Sequence, residues 1–90
     1  MSILITESGA SRVIHPANER DYTLNELQSL LGCDMIEIVR AGSYIAVIDE
    51  EGKLRDRKIN LVATAFLKPY LQPFDVIVGP TLLCLQSEIQ

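Results

Sequence analysis

The 90-residue sequence has no tryptophan, one histidine and two cysteines, and these scarcities exclude several chemistries at once. Cys33 and Cys84 form no CxxC pair and share no zinc-ligand spacing with His15. They are expected to be buried, reduced thiols of an intracellular protein. The five glycines, at 9, 32, 42, 52 and 79, fall one to a turn and do not make a phosphate-binding loop. No serine sits in a GxSxG elbow: Ser8 lies in the turn Glu7-Ser8-Gly9-Ala10, and Ser43 follows Gly42 without the second glycine. His15 has no recognisable triad, and Cys33 would need a base brought to it by the fold. No catalytic residue, metal ligand or cofactor is assigned, and an enzyme is not expected.

Long apolar runs are missing too, so no membrane span is expected. The amino terminus, MSILITES, has no basic region leading into an apolar stretch, so no signal peptide is expected and the cytoplasm is the default compartment. Twelve acidic against eight basic residues give a net charge of −4, which disfavours general binding to nucleic acid or anionic membrane. No Pro/Gly/Ser-rich linker, repeat or low-complexity segment divides the chain. Residues 1–90 therefore read as one domain, with 86–90 a polar tail.

What is present is apolar. Such residues make up 48% of the chain, a high share for a domain able to bury roughly 60–65% of its unfolded surface. The surplus either fills a core or leaves an apolar face for a partner. Ser2 to Thr6 and Arg12 to His15 read as a short hairpin closed before Pro16. Thr23 and Glu26 form a capping box ahead of Leu24, Leu27, Leu30 and Leu31 on one face, with Gly32 as the stop, which predicts a helix over Thr23 to Leu31. Met35 to Val39 and Tyr44 to Ile48 read as strands joined at Ala41-Gly42-Ser43, the second apolar on both faces and therefore central. Asn60 caps a second helix that Pro69 ends near Leu67 or Lys68. Asn60, Thr64 and Lys68 form its only polar stripe, so this helix is expected to be buried on most sides. Val76 to Val78 and Leu82 to Leu85 read as two short strands broken at Gly79-Pro80. The fold class is α+β: a mostly antiparallel sheet of five or six short strands packed with two helices.

The most polar stretch is DEEGKLRDRK, residues 49–58. Asp49, Glu50 and Glu51 could coordinate calcium or magnesium, but Lys53, Arg55, Arg57 and Lys58 follow where further oxygen ligands are needed. The bland reading is a solvated turn whose acids stay wet and whose Gly52 supplies a positive φ. The basic half alternates, so that Lys53, Arg55 and Arg57 share one face of an extended segment. That pattern suits an edge strand guarded by charge, or an anion site completed by Lys58 and Arg40. A second candidate surface is the apolar series Val62, Phe66, Tyr70 and Phe74, readable as core or as an interface.

Taken in order, YTLNELQSLLG, IEIV, VIDEEGKL, NLVATAFL and DVIVGPTLLC resemble the small proteins catalogued as domain of unknown function 3846, from Tyr22 to Cys84. The resemblance implies a setting in bacteria or on phage and plasmid genomes, and it carries over no catalytic residue. In its pattern DEEGKL is a recurring hairpin end. The chain departs from the pattern at Pro80, where an acidic or polar residue usually follows the strand glycine. The functional expectation is a non-enzymatic interaction module of a phage or mobile element that binds a host protein and forms a homodimer. The alternatives are a small-ligand or nucleotide binder using 53–58, or a nucleic-acid-binding accessory protein.

Overall fold

The computed structural model describes residues 2–90. Strands β1 (Ser2–Ile5) and β2 (Ser11–Ile14) form the amino-terminal hairpin, followed by helix α1 (Leu24–Leu31). A second hairpin joins β3 (Ile36–Ala41) to β4 (Tyr44–Asp49). Helix α2 (Leu61–Leu67) runs into a 3-10 turn, Lys68–Tyr70, and the chain returns as β5 (Thr81–Leu85). The five strands lie in the order β2-β1-β5-β4-β3, all antiparallel, so the α+β class and the two helices are as the sequence predicts. No described helix is long and apolar enough to cross a membrane.

The middle strand is β5, with β4 beside it. From Thr81 to Cys84 every residue of β5 is buried, because helices cover both faces of the sheet. On one face Leu4, Ile45, Val47, Leu82 and Cys84 pack against Leu27 and Leu31 of α1. On the other, Ile5, Ala46, Ile48 and Leu83 pack against Ala63 and Leu67 of α2. Truncating any of the fully buried leucines to alanine should cost about 2–5 kcal/mol.

Helix α1 starts as its sequence dictates. The Glu26 N–H donates to Thr23 Oγ1 (3.2 Å) and the Thr23 N–H to Glu26 Oε1 (3.0 Å), while Ala17 N–H takes the second carboxylate oxygen (3.0 Å). These backbone donors, Thr23 first, hold the Glu26 carboxyl below its ordinary pKa. Gly32 closes the helix at φ +62°. Leu27 and Leu31 are buried, whereas Leu24, expected on the same face, is exposed.

Three expectations need correction. Residues 76–78 form no strand: they run past α2, and only Val78 makes a bridge, to Ile59. The segment's backbone is instead bonded by Asn60 and Thr64 of the polar stripe, and α2, expected to be buried on most sides, leaves Leu61, Val62, Ala65 and Phe66 exposed. Asn60 Oδ1 accepts from Ala63 N–H, and Asn60 Nδ2 donates to the carbonyls of Ile5 (3.1 Å) and Gly79 (2.9 Å). Thr64 Oγ1 accepts from Ile77 N–H (2.9 Å) and donates back to Ile77 O (3.3 Å). Helix α2 therefore buries the polar Asn60 cap and Thr64 beside Ala63 and Leu67, and leaves Leu61, Val62 and Phe66 outward, so apolar side chains lie on both its faces.

Residues 86–90 are likewise no free tail. They form a 3-10 turn, Gln86–Glu88, and a parallel bridge between Tyr22 and Ile89. The buried Tyr22 hydroxyl donates to Ser2 Oγ (2.9 Å), and Ser2 donates to Glu88 Oε2 (3.1 Å). A buried polar chain thus fastens the carboxy-terminal turn to the start of β1.

Candidate functional site

The charged stretch resolves around Asp49, the last residue of β4. Its side chain is wholly buried rather than wet. Oδ1 accepts from Glu51 N–H (2.9 Å), while Oδ2 lies 2.8 Å from Arg57 Nε and 3.5 Å from Arg55 Nη1. The Arg57 Nε–H is not directed at the oxygen, so attraction of charge rather than an aligned hydrogen bond holds this contact. Arg57 Nη2 also donates to the Gly32 carbonyl at the end of α1, and Nη1 lies 3.7 Å from Glu7 on the β1–β2 loop. One guanidinium therefore spans three parts of the fold.

Two glycines make room for this arrangement. A methyl group at Gly79, whose φ is +80°, would lie 2.9 Å from Arg57 Cδ. Gly52, expected to supply a positive φ, does not have one; a methyl there would lie 2.6 Å from Val78 Cγ2 and 3.3 Å from the Asp49 carbonyl. The positive φ in this loop belongs to Asp56, at 57°. Residues 51–56 are turns, so the expected basic edge strand does not exist.

The five basic residues read as one anion site are dispersed. Arg55 and Arg57 converge on Asp49, while Lys53 is bonded to Asp75. Arg40 donates to Gln86 Oε1 (2.9 Å) near the opposite end of β3, and Lys58 is exposed, its backbone N–H donating to Glu7 (3.2 Å). Cys33 lines a shallow polar hollow with Arg55 and Asp34, but burial and then Asp49 push its thiol pKa up, against the pull of Arg57 and Arg55. Burial and then Glu88 push the Cys84 thiol up to about 11. Both cysteines are free, buried and protonated at neutral pH, which makes them poor nucleophiles. Among the described residues no group of three His, Cys, Asp or Glu side chains could hold a metal ion.

The second candidate surface is more continuous. Val62, Phe66 and Tyr70 recur every four residues along α2 and its 3-10 extension, and all three are exposed. Val62 Cγ2 would lie 3.3 Å from a methyl on Gly9, in the β1–β2 loop, and Tyr70 Oη 3.4 Å from one on Gly42, in the β3–β4 turn. Those loops stand at opposite ends of the sheet, so α2 and its extension cross the face as a diagonal strut. One uncovered corner carries residues 71–78. The other is an apolar groove of about 300 Å³ lined by Ile3, Tyr44, Phe66, Leu83 and Leu85. Ile3 pairs with Leu83 and Tyr44 with Leu85 across neighbouring strands, so the floor is three strands wide. Phe74 stands apart from this groove, almost wholly exposed at φ +68°.

The groove floor escapes a reading of the sequence because it exists only once β5 is inserted between β1 and β4. Its available signal is the alternation in β5, where Leu83 and Leu85 share a face that a two-turn helix is too short to cover.

The chain belongs to the family described as Domain of unknown function (DUF3846), whose model matches residues 1–89 and so includes the β1–β2 hairpin. No curated protein matches the chain, and neither does any solved structure.

Proposed function

We propose that this chain is a non-enzymatic interaction module that holds a protein partner by seating large apolar side chains in the groove between Phe66 and the sheet. The observation that carries this reading is the apolar outer face of helix α2. Asn60 and Thr64 are spent on internal backbone groups, Leu61, Val62 and Phe66 face outward, and Phe66 borders the apolar groove. Between Lys58 and Asp75 the chain carries one charged residue, Lys68, so little charge has to be desolvated when this face is covered. If the gene resides on a phage or mobile element, the partner is a host protein.

The alternative of an anion or nucleotide site at 53–58 draws less support. Arg55 and Arg57 already face a buried carboxylate, and Lys53 faces Asp75. The test is to isolate a partner from the natural host, purify it and titrate it against variants. Phe66→Glu should weaken binding at least tenfold, whereas Arg55→Ala with Lys58→Ala should not, and moderate salt should have little effect. Binding that vanishes with salt and with the Arg55 and Lys58 changes, but survives Phe66→Glu, would place the contact on the basic segment instead.

A further inference from the structure

Strand β3 ends the sheet on one side, and its outer edge is unpaired among the described strands. It is six residues long, pairs with β4 without interruption, and contains no proline. The other edge, β2, has four residues and runs into Pro16. Natural sheets blunt exposed edges with bulges, prolines, short strands or charged side chains; β3 carries two charges of opposite sign, Glu37 and Arg40, and none of the other devices.

The register defines which groups are free. Ala41 and Tyr44 close the two-residue turn, in which Gly42 has φ +67°. The closing pair of such a hairpin is hydrogen-bonded, and bonding alternates from there. Ala41, Val39 and Glu37 therefore direct their backbone groups to β4. Ile36, Ile38 and Arg40 direct theirs away from the sheet, and no described backbone partner lies beyond them.

We infer that β3 pairs antiparallel with β3 of a second copy, about a two-fold axis at Ile38, joining two five-stranded sheets into one. The outward set is self-complementary about that residue: Ile36 faces Arg40 of the second copy, Ile38 faces itself, and Arg40 faces Ile36. Each pair exchanges backbone hydrogen bonds without disturbing β4. Centring the pairing one step earlier, on Glu37, would oppose two carboxylates and is disfavoured.

Two side-chain observations support the same edge. Ile38 is 46% exposed and lines a hollow of about 540 Å³ with Arg40, Ile45 and Ile89, which Ile36 and Ile38 of the second copy would enter from the side. Phe74 is 97% exposed and held at φ +68°, a conformation costly for a bulky residue. Leu71 and Asp75, which flank it in sequence, line a small cleft with Glu37 and Val39 of β3, so the segment that carries this ring borders the edge strand. The axis is perpendicular to the sheet, so both apolar grooves remain open on one side. This pairing is independent of what the grooves bind.

Sedimentation velocity on the full chain should show a species of twice the 10.0 kDa protomer mass. Ile38→Pro deletes an outward N–H that β4 does not use, and should return the protein to the protomer with unchanged circular dichroism. Should proline unfold the strand, Ile38→Lys places like charges across the axis at an already exposed side chain, and should raise the dimer dissociation constant at least a hundredfold. Ile38→Cys should cross-link two copies under mild oxidation, since paired residues there fall within disulfide reach. A wild-type chain that stays monomeric on concentration would overturn the inference. So would a dimer that withstands Ile38→Lys, cross-links at position 39 in preference to 38, or is lost only with Phe66→Glu.

Discussion

Arg57 Nε lies 2.8 Å from Asp49 Oδ2, and the carboxylate it faces is completely shielded from water. The pair converts the most polar stretch of the sequence from a surface loop into an internal brace. Arg57 reaches the end of α1 through the Gly32 carbonyl and approaches the β1–β2 loop through Glu7. Removing one partner leaves the other charge buried, so Arg57→Ala should lower unfolding free energy by about 3 kcal/mol in a urea titration. Asp49→Leu combined with Arg57→Met, which removes both charges, should cost markedly less than the sum of the single changes.

Gly52 and Gly79 are predicted to be intolerant for different reasons. Gly52→Ala suits the backbone dihedral but collides with Val78, and should cost about 1–3 kcal/mol by overpacking. Gly79→Ala meets both a positive φ and the Arg57 stem, so it should be at least as damaging, and Arg57→Ala should relieve only the steric part. Thermal melts of the two glycine variants in wild-type and Arg57→Ala backgrounds separate these causes.

The two caps should differ in weight. Thr23→Ala removes a cap at a partly exposed helix start and should cost about 1 kcal/mol. Asn60→Ala removes a cap and also strips the Ile5 and Gly79 carbonyls of a buried donor, so a loss of about 2–4 kcal/mol is expected. Equal losses in denaturant titrations would contradict the internal role given to Asn60.

Stability should fall at both ends of the pH range. Burial raises the Glu88 carboxyl, but its net shift is downward, and the bonds from Leu85 N–H and Ser2 contribute to that. Its stabilisation is therefore present above the unfolded carboxylate value and lost as pH falls through the lower folded value. Cys84 behaves oppositely: the unfolded thiol ionises near its ordinary value of 9.0, while the folded one stays protonated to about 11. The folded state then holds the extra proton, so stability declines as pH rises from about 9 to 11. Cys84→Ala should be less stable at pH 7 yet show a shallower alkaline decline, measured by urea midpoints from pH 7 to 11.

What could be read in the sequence was local. The capping box at Thr23 and Glu26, the stop at Gly32, the turn at Gly42 and Ser43, and the cap at Asn60 all lie within a few residues of what they control. What could not be read was set by distant partners. Thr64 looks like a solvent-facing residue until Ile77, thirteen positions later, is found needing both a donor and an acceptor. Asp49 looks wet until Arg57 folds back over it. Residues 76–78 have strand composition, but β5 takes the place between β1 and β4, leaving them to bond with α2.

The proposal that the Phe66 groove is the working surface is tested most directly by placing a photo-crosslinking phenylalanine analogue at position 66, and separately at position 55, in the natural host. The account predicts that position 66 yields a covalent adduct with one discrete cellular protein and that position 55 does not. Adducts formed from position 55 alone, or from position 66 only with another copy of this chain, would contradict it.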